Sequence, residues 1–412
     1  MGRVALIITS TLVALTLWAA LVLFGAREGW LRPMPAAQGD TAGFMQWAES
    51  RYAASSRGNI AIVLLDDGDV SQSYFASHGR AVDGDSLFQV ASLSKWLTAW
   101  GVMTLVEQGR VELDAPVSRY LTRWRLPPGE YDNDQVTVRR LLSHTSGLTD
   151  GLGFMGFAPD ATPPSIEEEL SAPGDVMPGA AGVVRVGARA DGAWRYSGGG
   201  YLILQLLIEE VTQQSFHDYM RSAVFAPLGM DGSTFIDPDA DRLADFFAED
   251  GAAATHYSFT ATGAASLYTS ANDLTRFVQA QDDGGGVLRP TTLDEMRAPA
   301  GYLLGLPVWG LGPTLYTPTP SGGVIIGHDG QNFPAINTTA RVDPATGDGI
   351  IVLQTGSAAL AREIGGEWTY WQTGVVPLDT LVLFDLQRIL IAFAAGALVI
   401  VIGAFFMARR RR

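Results

Sequence analysis

The chain contains a single lysine, Lys95, which follows Ser92 by three residues, and all its other basic residues are arginine. An amine can lose its proton where a guanidinium cannot. Residues three apart on a helix lie on one face, about 5 to 6 Å apart between Cβ atoms, so the amine could remove the serine proton. The pair predicts a serine nucleophile with a lysine general base.

The elements around this pair must place the serine at the start of a helix. Apolar residues such as Trp96, Trp100 and Met103 recur at helical spacing, which predicts a helix from Lys95 to Gln108 that Gly109 ends. The positive end of the helix dipole would then favour the serine alkoxide. A serine at this place could also act only as an N-cap, so the spacing alone leaves both readings open.

Strand patterns occur at both ends of the chain, and the middle reads as helices and loops rich in glycine and proline. Apolar runs at 59–65 and 71–76 predict a hairpin that leads to Ser92, and three further runs predict strands at 322–328, 335–342 and 349–355. Helices are expected near Phe44 and at 199–213 and 358–371. This order predicts an α+β fold, with one antiparallel sheet flanked by helices plus a helical lobe.

Three other segments carry polar residues suited to a catalytic site. Trp194 to Gly198 reads Trp-Arg-Tyr-Ser-Gly, Gly327 to Gly330 reads Gly-His-Asp-Gly, and Leu141 to Leu148 contains His144 in a polar turn. Together with Ser92 and Lys95, their order resembles the serine β-lactamase and penicillin-binding protein superfamily, in its class C β-lactamase-like branch. The resemblance covers about residues 50 to 360 and includes a weaker echo at 263–274.

The resemblance implies a role for each matching residue. Ser92 would be the acylated nucleophile and Lys95 its base, with a pKa lowered by burial and by neighbouring positive charge. Tyr196 would carry a proton to the leaving group and from the deacylating water. His328 would donate a hydrogen bond to Tyr196 or to a substrate carboxylate, and the backbone N–H groups of Ser92 and Gln331 would form the oxyanion hole.

Two positions depart from the family pattern. His328 stands where many relatives carry lysine, which we expect to change the substrate rather than abolish activity. Gly198 replaces an asparagine that holds the acylamino group of a substrate, and this loss lowers the expectation of penicillinase activity. Gly330 would let a substrate backbone lie close, and Asp329 would point away from the cleft because side chains alternate along a strand.

Structural roles remain open for several of these residues. Tyr196 could be a half-buried aromatic residue, and His328 could be a hydrogen-bonded histidine at a strand end. We interpret His144 as a turn former that braces its loop. The G-x-S-x-G elbow of α/β-hydrolases does not occur in the chain.

Composition excludes other chemistries. The chain has no cysteine, and its five histidines are dispersed without an H-E-x-x-H motif, so we expect no metal and no cofactor. A net charge of −15 argues against a nucleic-acid partner. The expected partners are a small-molecule or peptide substrate and a membrane.

Both ends of the chain predict membrane segments. Residues 4–24 carry no charge and are long enough to span a bilayer as a helix, and so are residues 389–407. We expect an N-terminal anchor at 1–26, with a cleaved signal peptide as the alternative. Arg3 and the arginine tail that ends at Arg412 predict that both termini are cytoplasmic.

The sequence predicts four regions, of which the N-terminal anchor is the first. They are the anchor, a hydrolase domain at 44–374, a juxtamembrane segment at 375–388, and a C-terminal transmembrane helix at 389–408 with the arginine tail. The domain would face the periplasm or the outer surface from the inner membrane. The expected function is a membrane-anchored serine hydrolase acting on D-alanyl peptides, then small esters, then β-lactams. A small-ester carboxylesterase and a non-catalytic acyl-ligand sensor or scaffold are the alternatives.

Overall fold

The structure is a computed structural model that describes residues 2–151, 153–177, 180–236, 238–333 and 335–409. The arginine tail beyond Arg409 therefore lies outside the described residues. The chain divides into two compact units, one formed by residues 1–44 and 366–412 and the other by residues 45–365.

The larger unit is built on one eight-stranded antiparallel sheet and two two-stranded sheets. The strands are β1 Ile60–Asp66, β2 Asp69–Ala76, β3 Phe88–Gln89, β4 Phe246–Phe247, β5 Ala253–Ala254, β6 Tyr268–Thr269, β7 Gly301–Leu303, β8 Leu306–Trp309, β9 Thr314–Pro318, β10 Val324–Asn332, β11 Ile336–Val342 and β12 Gly349–Thr355. The order in the large sheet is β2-β1-β12-β11-β10-β9-β8-β7, and the small sheets pair β3 with β6 and β4 with β5.

The central strands of this sheet are buried on both faces. All residues of β11 and β12 are buried, as are those of β1 up to Leu65, which explains why these strands read as continuous apolar runs rather than as alternating patterns. β1 pairs with β12 along six residues, so strands from the two ends of the domain lie side by side. The predicted antiparallel sheet assembled from distant segments is thus confirmed.

Helices occur along the whole chain, and most of them lie between β2 and β7. They are α1 Gly2–Arg27, α2 Thr41–Ser55, α3 Ser94–Glu107, α4 Val138–Leu142, α5 Ile166–Ser171, α6 Gly198–Thr212, α7 Phe216–Met220, α8 Ala226–Leu228, α9 Thr262–Ala265, α10 Ala271–Gln279, α11 Pro290–Arg297, α12 Leu360–Thr373, α13 Leu378–Thr380 and α14 Leu386–Arg409. A 3₁₀ turn, Ala91–Leu93, precedes α3. Two π-helical turns, Arg221–Phe225 and Leu381–Asp385, join neighbouring helices.

The helix α3 is the central helix of the larger unit. Every residue from Ser94 to Leu105 is buried, so this helix has no solvent face and contacts α6, α9 and β10. Trp96 and Trp100 both pack edge-on against Phe277 of α10, at 4.9 and 5.0 Å between ring centroids. The residues that follow Ser92 are therefore held on all sides by the core.

The smaller unit contains the two long apolar helices. The stretches Ala5–Arg27 and Leu378–Arg409 are long and apolar enough to cross a membrane by length and composition. Within this unit α1 packs against α14, where the indole Nε1 of Trp18 donates to the carbonyl of Phe393 at 3.2 Å. Gly396 leaves the space that the Trp18 ring occupies, because a Cβ there would collide with it.

The sequence missed one part of the large sheet. The strands β7, β8 and β9 are short and lie among glycine and proline residues, so no strand pattern identified them. β10 also extends four residues beyond the predicted end at His328, through Asn332. This extension places residues 329–332 on the sheet rather than in a loop.

Candidate active site

Ser92 lies in the 3₁₀ turn that leads into α3, as the spacing predicts. The residue before it, Ala91, has a φ of +49°, a left-handed conformation that costs energy for a residue other than glycine. Ser94 stabilises this turn, because its hydroxyl donates to the Ala91 carbonyl at 2.6 Å and accepts from the Leu267 amide at 3.0 Å. The backbone that carries Ser92 is therefore strained and fixed.

Lys95 reaches the serine from the first turn of α3. Its Nζ lies 3.1 Å from Oγ of Ser92 and 2.8 Å from the carbonyl oxygen of Ala264 on α9. Burial lowers the pKa of Lys95 to about 7, although the nearby carboxyl of Asp150 acts in the opposite direction. The expected influence of a neighbouring positive charge is wrong, since burial alone lowers this pKa and the charged neighbour is acidic.

Tyr196 completes the group around Ser92. Its ring lies 5.1 Å from Nζ of Lys95, measured to the ring centroid. Burial raises the pKa of Tyr196, and hydrogen bonding with the Ser92 hydroxyl only partly offsets this effect. The phenol is thus neutral near pH 7, which makes it a proton donor rather than a base, so of the two groups only Lys95, 3.1 Å from Oγ of Ser92, can accept the serine proton.

His328 lies on β10 and is buried, with 3% of its surface exposed. Its Nδ1 is 2.6 Å from the backbone carbonyl of Asp329, and because a carbonyl only accepts, Nδ1 carries the hydrogen. Burial, assisted by Lys95, lowers the pKa of His328 to about 4, so the ring is neutral and Nε2 is an acceptor. The neutral ring thus presents an acceptor at Nε2, and the expected donation from His328 to Tyr196 or to a substrate carboxylate stays a prediction.

Gly330 lets β10 lie against the turn that carries Ser92. A Cβ at this position would collide with the carbonyl oxygen of Val90, the residue just before the 3₁₀ turn. The neighbouring Thr338 on β11 donates its hydroxyl to the same carbonyl at 2.9 Å. Glycine here allows two segments of the protein itself to approach closely. The approach of a substrate backbone to Gly330 stays a prediction.

The alternation of β10 separates the site from a charged network on the other face. Asp329 accepts from Thr339 at 2.6 Å and pairs with Arg341 at 3.2 Å, away from Ser92 as predicted. The side chain of Gln331 lies on this same outer face, where its Oε1 accepts from Arg362 at 3.0 Å. Only the backbone of Gln331 is left for an oxyanion hole, which stays a prediction.

Gly198 is the first residue of α6 and packs tightly against a loop. A Cβ here would lie 2.8 Å from Cα of Gly153 and 3.1 Å from the ring of Phe154. The position where relatives carry an asparagine is thus filled by the protein's own loop, and no side chain extends from it toward a substrate.

A buried carboxyl group that the sequence analysis missed holds the start of α6. Asp150 accepts from the Ser197 hydroxyl at 2.5 Å and from the Gly199 amide at 2.9 Å. Ser197 is the N-cap of α6 and accepts from the Gly200 amide at 2.8 Å. Burial raises the pKa of Asp150. Its position two residues after the Leu141 to Leu148 motif was the available signal.

His144 also lies in the site rather than only in a turn. It is 1% exposed, and its ring centroid lies 4.4 Å from that of Tyr196 and 4.8 Å from that of Trp309. Trp309 in turn contacts His328 edge-on at 5.2 Å. These rings surround the hydroxyl and amine groups with apolar surface, which explains the burial that shifts their pKa values.

Metal chemistry has no obvious support in this geometry. Among the residues that the structure describes, no group of three or more histidine, aspartate or glutamate side chains is placed to hold a metal ion.

The carbonyl of Ala264 is a further site feature that sequence reasoning did not assign, although it lies in the segment 263–274 that carried a weak family echo.

Comparison with known proteins agrees with this geometry. The family model named Beta-lactamase matches residues 44–372. Similar curated proteins are penicillin-binding protein 4* of Bacillus subtilis, 30% identical over 42% of this chain and 37% of that protein, and the esterase EstB of Burkholderia gladioli, 28% identical over 57% and 67%. The D-alanyl-D-alanine-carboxypeptidase/endopeptidase AmpH of Escherichia coli is 25% identical over 61% of this chain and 64% of its own length.

The matched stretches thus span between about a third and two thirds of these relatives' lengths. Solved structures superpose with TM-scores from 0.58 to 0.65 at 18 to 23% identity, which shows the fold. The resemblance read from the sequence is confirmed. Because the family model covers most of the chain and the lysine, serine and tyrosine meet in one buried site, the chain belongs to the Beta-lactamase family of serine hydrolases.

Proposed function

We propose that this chain is a membrane-anchored hydrolase that forms an acyl-enzyme on Ser92. The observation that carries the proposal is the 3.1 Å separation between Oγ of Ser92 and Nζ of a buried lysine whose pKa is about 7. About half of the amines with this pKa are unprotonated at pH 7 and can act as a base, whereas an exposed lysine would be almost fully protonated.

The reaction begins when Lys95 takes the proton of Ser92 and Oγ attacks the substrate carbonyl. The resulting oxyanion is stabilised by the backbone N–H groups of Ser92 and Gln331. As the leaving group departs, a proton passes from the Lys95 ammonium through the neutral phenol of Tyr196 to the leaving oxygen or nitrogen. Water then attacks the acyl-enzyme along the reverse proton route and releases the acid.

The geometry favours small esters and uncharged amides as substrates. A D-alanyl peptide ends in a carboxylate, and His328 is neutral and presents an acceptor toward the site, so it gives that carboxylate no partner. The packing at Gly198 leaves no amide side chain for an acylamino group, which also disfavours β-lactams. The similarity to an esterase supports this order of substrates.

D-Alanyl peptides are the second candidate class. The similarity to a D-alanyl-D-alanine-carboxypeptidase extends over 265 residues. Arg362 is a cation near enough to lower the pKa of His328, but it already donates to Gln331 and pairs with Asp329. A peptide carboxylate would therefore have to compete with these contacts.

The two apolar helices support the membrane part of the proposal. Each is long enough to cross a bilayer, and within their unit Trp18 of α1 packs into the gap at Gly396 of α14. Such pairing supports a retained first helix rather than a cleaved signal peptide. With Arg3 and the terminal arginines inside, the hydrolase domain would face the periplasm or the outer surface.

A fluorescent fluorophosphonate tests the nucleophile directly. The full-length protein in detergent micelles should label, Ser92→Ala should not label, and Ser50→Ala, which removes an exposed serine of α2, should label like the wild-type protein. Equal labelling of the wild-type protein and Ser92→Ala would reject acylation at Ser92. Labelling without turnover of a nitrophenyl ester, a D-Ala-D-Ala peptide and a chromogenic cephalosporin would instead support the non-catalytic acyl sensor.

A further inference from the structure

His144 contacts the segment around Tyr196 at three points. Its backbone carbonyl accepts from the Arg195 amide at 2.8 Å, and its Nδ1 accepts from the Ser197 amide at 3.2 Å. Its ring lies against the ring of Tyr196, with 4.4 Å between centroids and a tilt of 33°. One residue therefore binds the backbone on both sides of Tyr196 and also contacts its side chain.

The backbone of His144 is in the left-handed region, with a φ of +56°. This conformation is uncommon for residues other than glycine, and histidine, asparagine and aspartate adopt it more readily than most. It turns the carbonyl and the ring of His144 toward the same segment, residues 195–197. A conformation that costs energy is thus retained where it makes contacts with a proposed proton donor.

The hydrogen bond from Ser197 defines the tautomer of His144. Because Nδ1 accepts, the hydrogen of the neutral ring is on Nε2, which is the opposite tautomer from that of His328. Burial, together with Lys95 from α3 and His328 from β10, holds the pKa of His144 well below its usual range. The other titratable groups against the ring are Tyr196 and Tyr201, and both are neutral phenols.

We propose that His144 is a positioning residue that holds the Tyr196 hydroxyl in line for proton donation to the leaving group. The inference rests on the proposed function. Tyr196 precedes the N-cap of α6, and apart from His144 its backbone is held through Ser197 and Asp150 on one side and, two residues earlier, by the Trp194 amide, which donates to the Tyr302 carbonyl at 3.0 Å on the other. The hydrogen bonds from the Arg195 and Ser197 amides to His144 restrict the backbone of Tyr196. The ring contact with His144 restricts its χ angles.

The test compares two esters that share an acyl group and differ in the leaving group. p-Nitrophenolate leaves without needing a proton, whereas ethoxide needs one, so a misplaced donor slows ethyl butyrate far more than p-nitrophenyl butyrate. The ratio of their kcat/KM values does not depend on the folded fraction of a variant. Tyr196→Phe sets the ratio expected when the donor is lost.

His144→Ala should raise the ratio of nitrophenyl to ethyl ester kcat/KM by about 10- to 100-fold, toward the value of Tyr196→Phe. His144→Asn keeps an acceptor on Cγ and tolerates the left-handed backbone, so it should recover part of the loss. His256→Asn, which removes a half-buried histidine that packs against Phe246 and Tyr268, is the matched control and should leave the ratio unchanged.

An unchanged ratio in His144→Ala would overturn the positioning role, even if total activity fell. An equal rise in His256→Asn would also overturn it, because the effect would then follow the loss of any buried histidine. A wild-type protein that turns over neither ester while failing to label with fluorophosphonate would instead reject the proposed function, and that outcome is distinct from an unchanged ratio.

Discussion

Nζ of Lys95 lies 3.1 Å from Oγ of Ser92 on one side and 2.8 Å from the Ala264 carbonyl on the other. The carbonyl can only accept, so the neutral amine directs one N–H to Ala264 and keeps its lone pair free for the serine proton. In this orientation the lone pair of Lys95 faces Ser92, so the proposed base is aimed at the serine hydroxyl.

The acylation rate should rise with pH up to about 7. Burial lowers the pKa of Lys95 to about 7, so below this pH the amine is protonated and cannot accept the Ser92 proton. We expect kcat/KM for p-nitrophenyl butyrate to rise about tenfold per pH unit between pH 5 and 6.5 and to level off above pH 8. A profile that is flat over this range, or that still rises at pH 9, would contradict Lys95 as the base.

Lys95→Met should abolish turnover and stabilise the fold. Each pKa unit by which burial lowers a pKa corresponds to about 1.4 kcal/mol. Burial of this lysine therefore lowers the free energy of unfolding by several kcal/mol at pH 7. The loss of the hydrogen bond to Ala264 returns about 1 to 2 kcal/mol of that gain. The free energy of unfolding, measured by urea titration in detergent at pH 7, should therefore increase.

The sign of this effect can be checked by pH. The unfolded lysine titrates near 10.5 and the folded one near 7, so the unfolded state binds the extra proton between these values. The stability of the wild-type protein thus gains on that of Lys95→Met as pH rises through this window. A stability difference that is the same at pH 7 and pH 9.5 would mean that Lys95 is not buried as an amine.

Gly330→Ala should destabilise the protein and lower activity together. The added methyl group would collide with the Val90 carbonyl, so β10 and the turn that carries Ser92 must separate, at a cost of about 1 to 3 kcal/mol. Gly129→Ala is the control, because the nearest atom to a Cβ there, the Val186 carbonyl oxygen, is 3.7 Å away. Thermal unfolding and labelling by fluorophosphonate measure both effects, and equal behaviour of the two variants would remove the steric argument.

Gly198→Asn, which restores the asparagine of many relatives, should not create penicillinase activity. The site for its Cβ is occupied by Gly153 and Phe154, so the substitution forces this loop outward. We expect lower thermal stability and no gain in nitrocefin hydrolysis, with Gly198→Ala showing a smaller loss from the Cβ alone. A clear gain in cephalosporin turnover would show that the loop gives way without cost.

A reporter that fluoresces only in the cytoplasm should be bright when fused after Arg412. The same reporter fused after Gly39 in a chain truncated there should be dark, because the first helix alone would carry it across the membrane. A dark C-terminal fusion would refute two membrane crossings with both termini inside. The pair of fusions thereby tests the anchors independently of the catalytic proposal.

The sequence was most informative where chemistry and local spacing coincide. Ser92 and Lys95 share a helical turn, so their meeting was predictable from a period of 3.6 residues. Tyr196 and His328 were placed near them only through the family resemblance, because no periodicity links residues about 100 to 230 positions apart. The eight-stranded sheet was partly predictable, since its central strands are long apolar runs.

What the sequence could not give depends on tertiary contacts. The interpretation of His144 as a turn former was incomplete, because nothing local shows that its ring meets Tyr196. The tautomer of His328 follows from a bond to its own neighbour's carbonyl, which is invisible in a residue pattern. The short strands from Gly301 to Pro318 are held by the sheet edge rather than by their own propensity.

The pairing of β1 with β12 also affects when the enzyme matures. β12 separates β1 from β11, so the hairpin made first has no lateral partner in the main sheet until residues 349–355 have been synthesised. Ser92 leaves the ribosome more than two hundred residues before the strand that joins the two halves of its support. A growing chain therefore carries Ser92 without a completed site, so the proposed acylation must wait until translation of the domain is nearly finished.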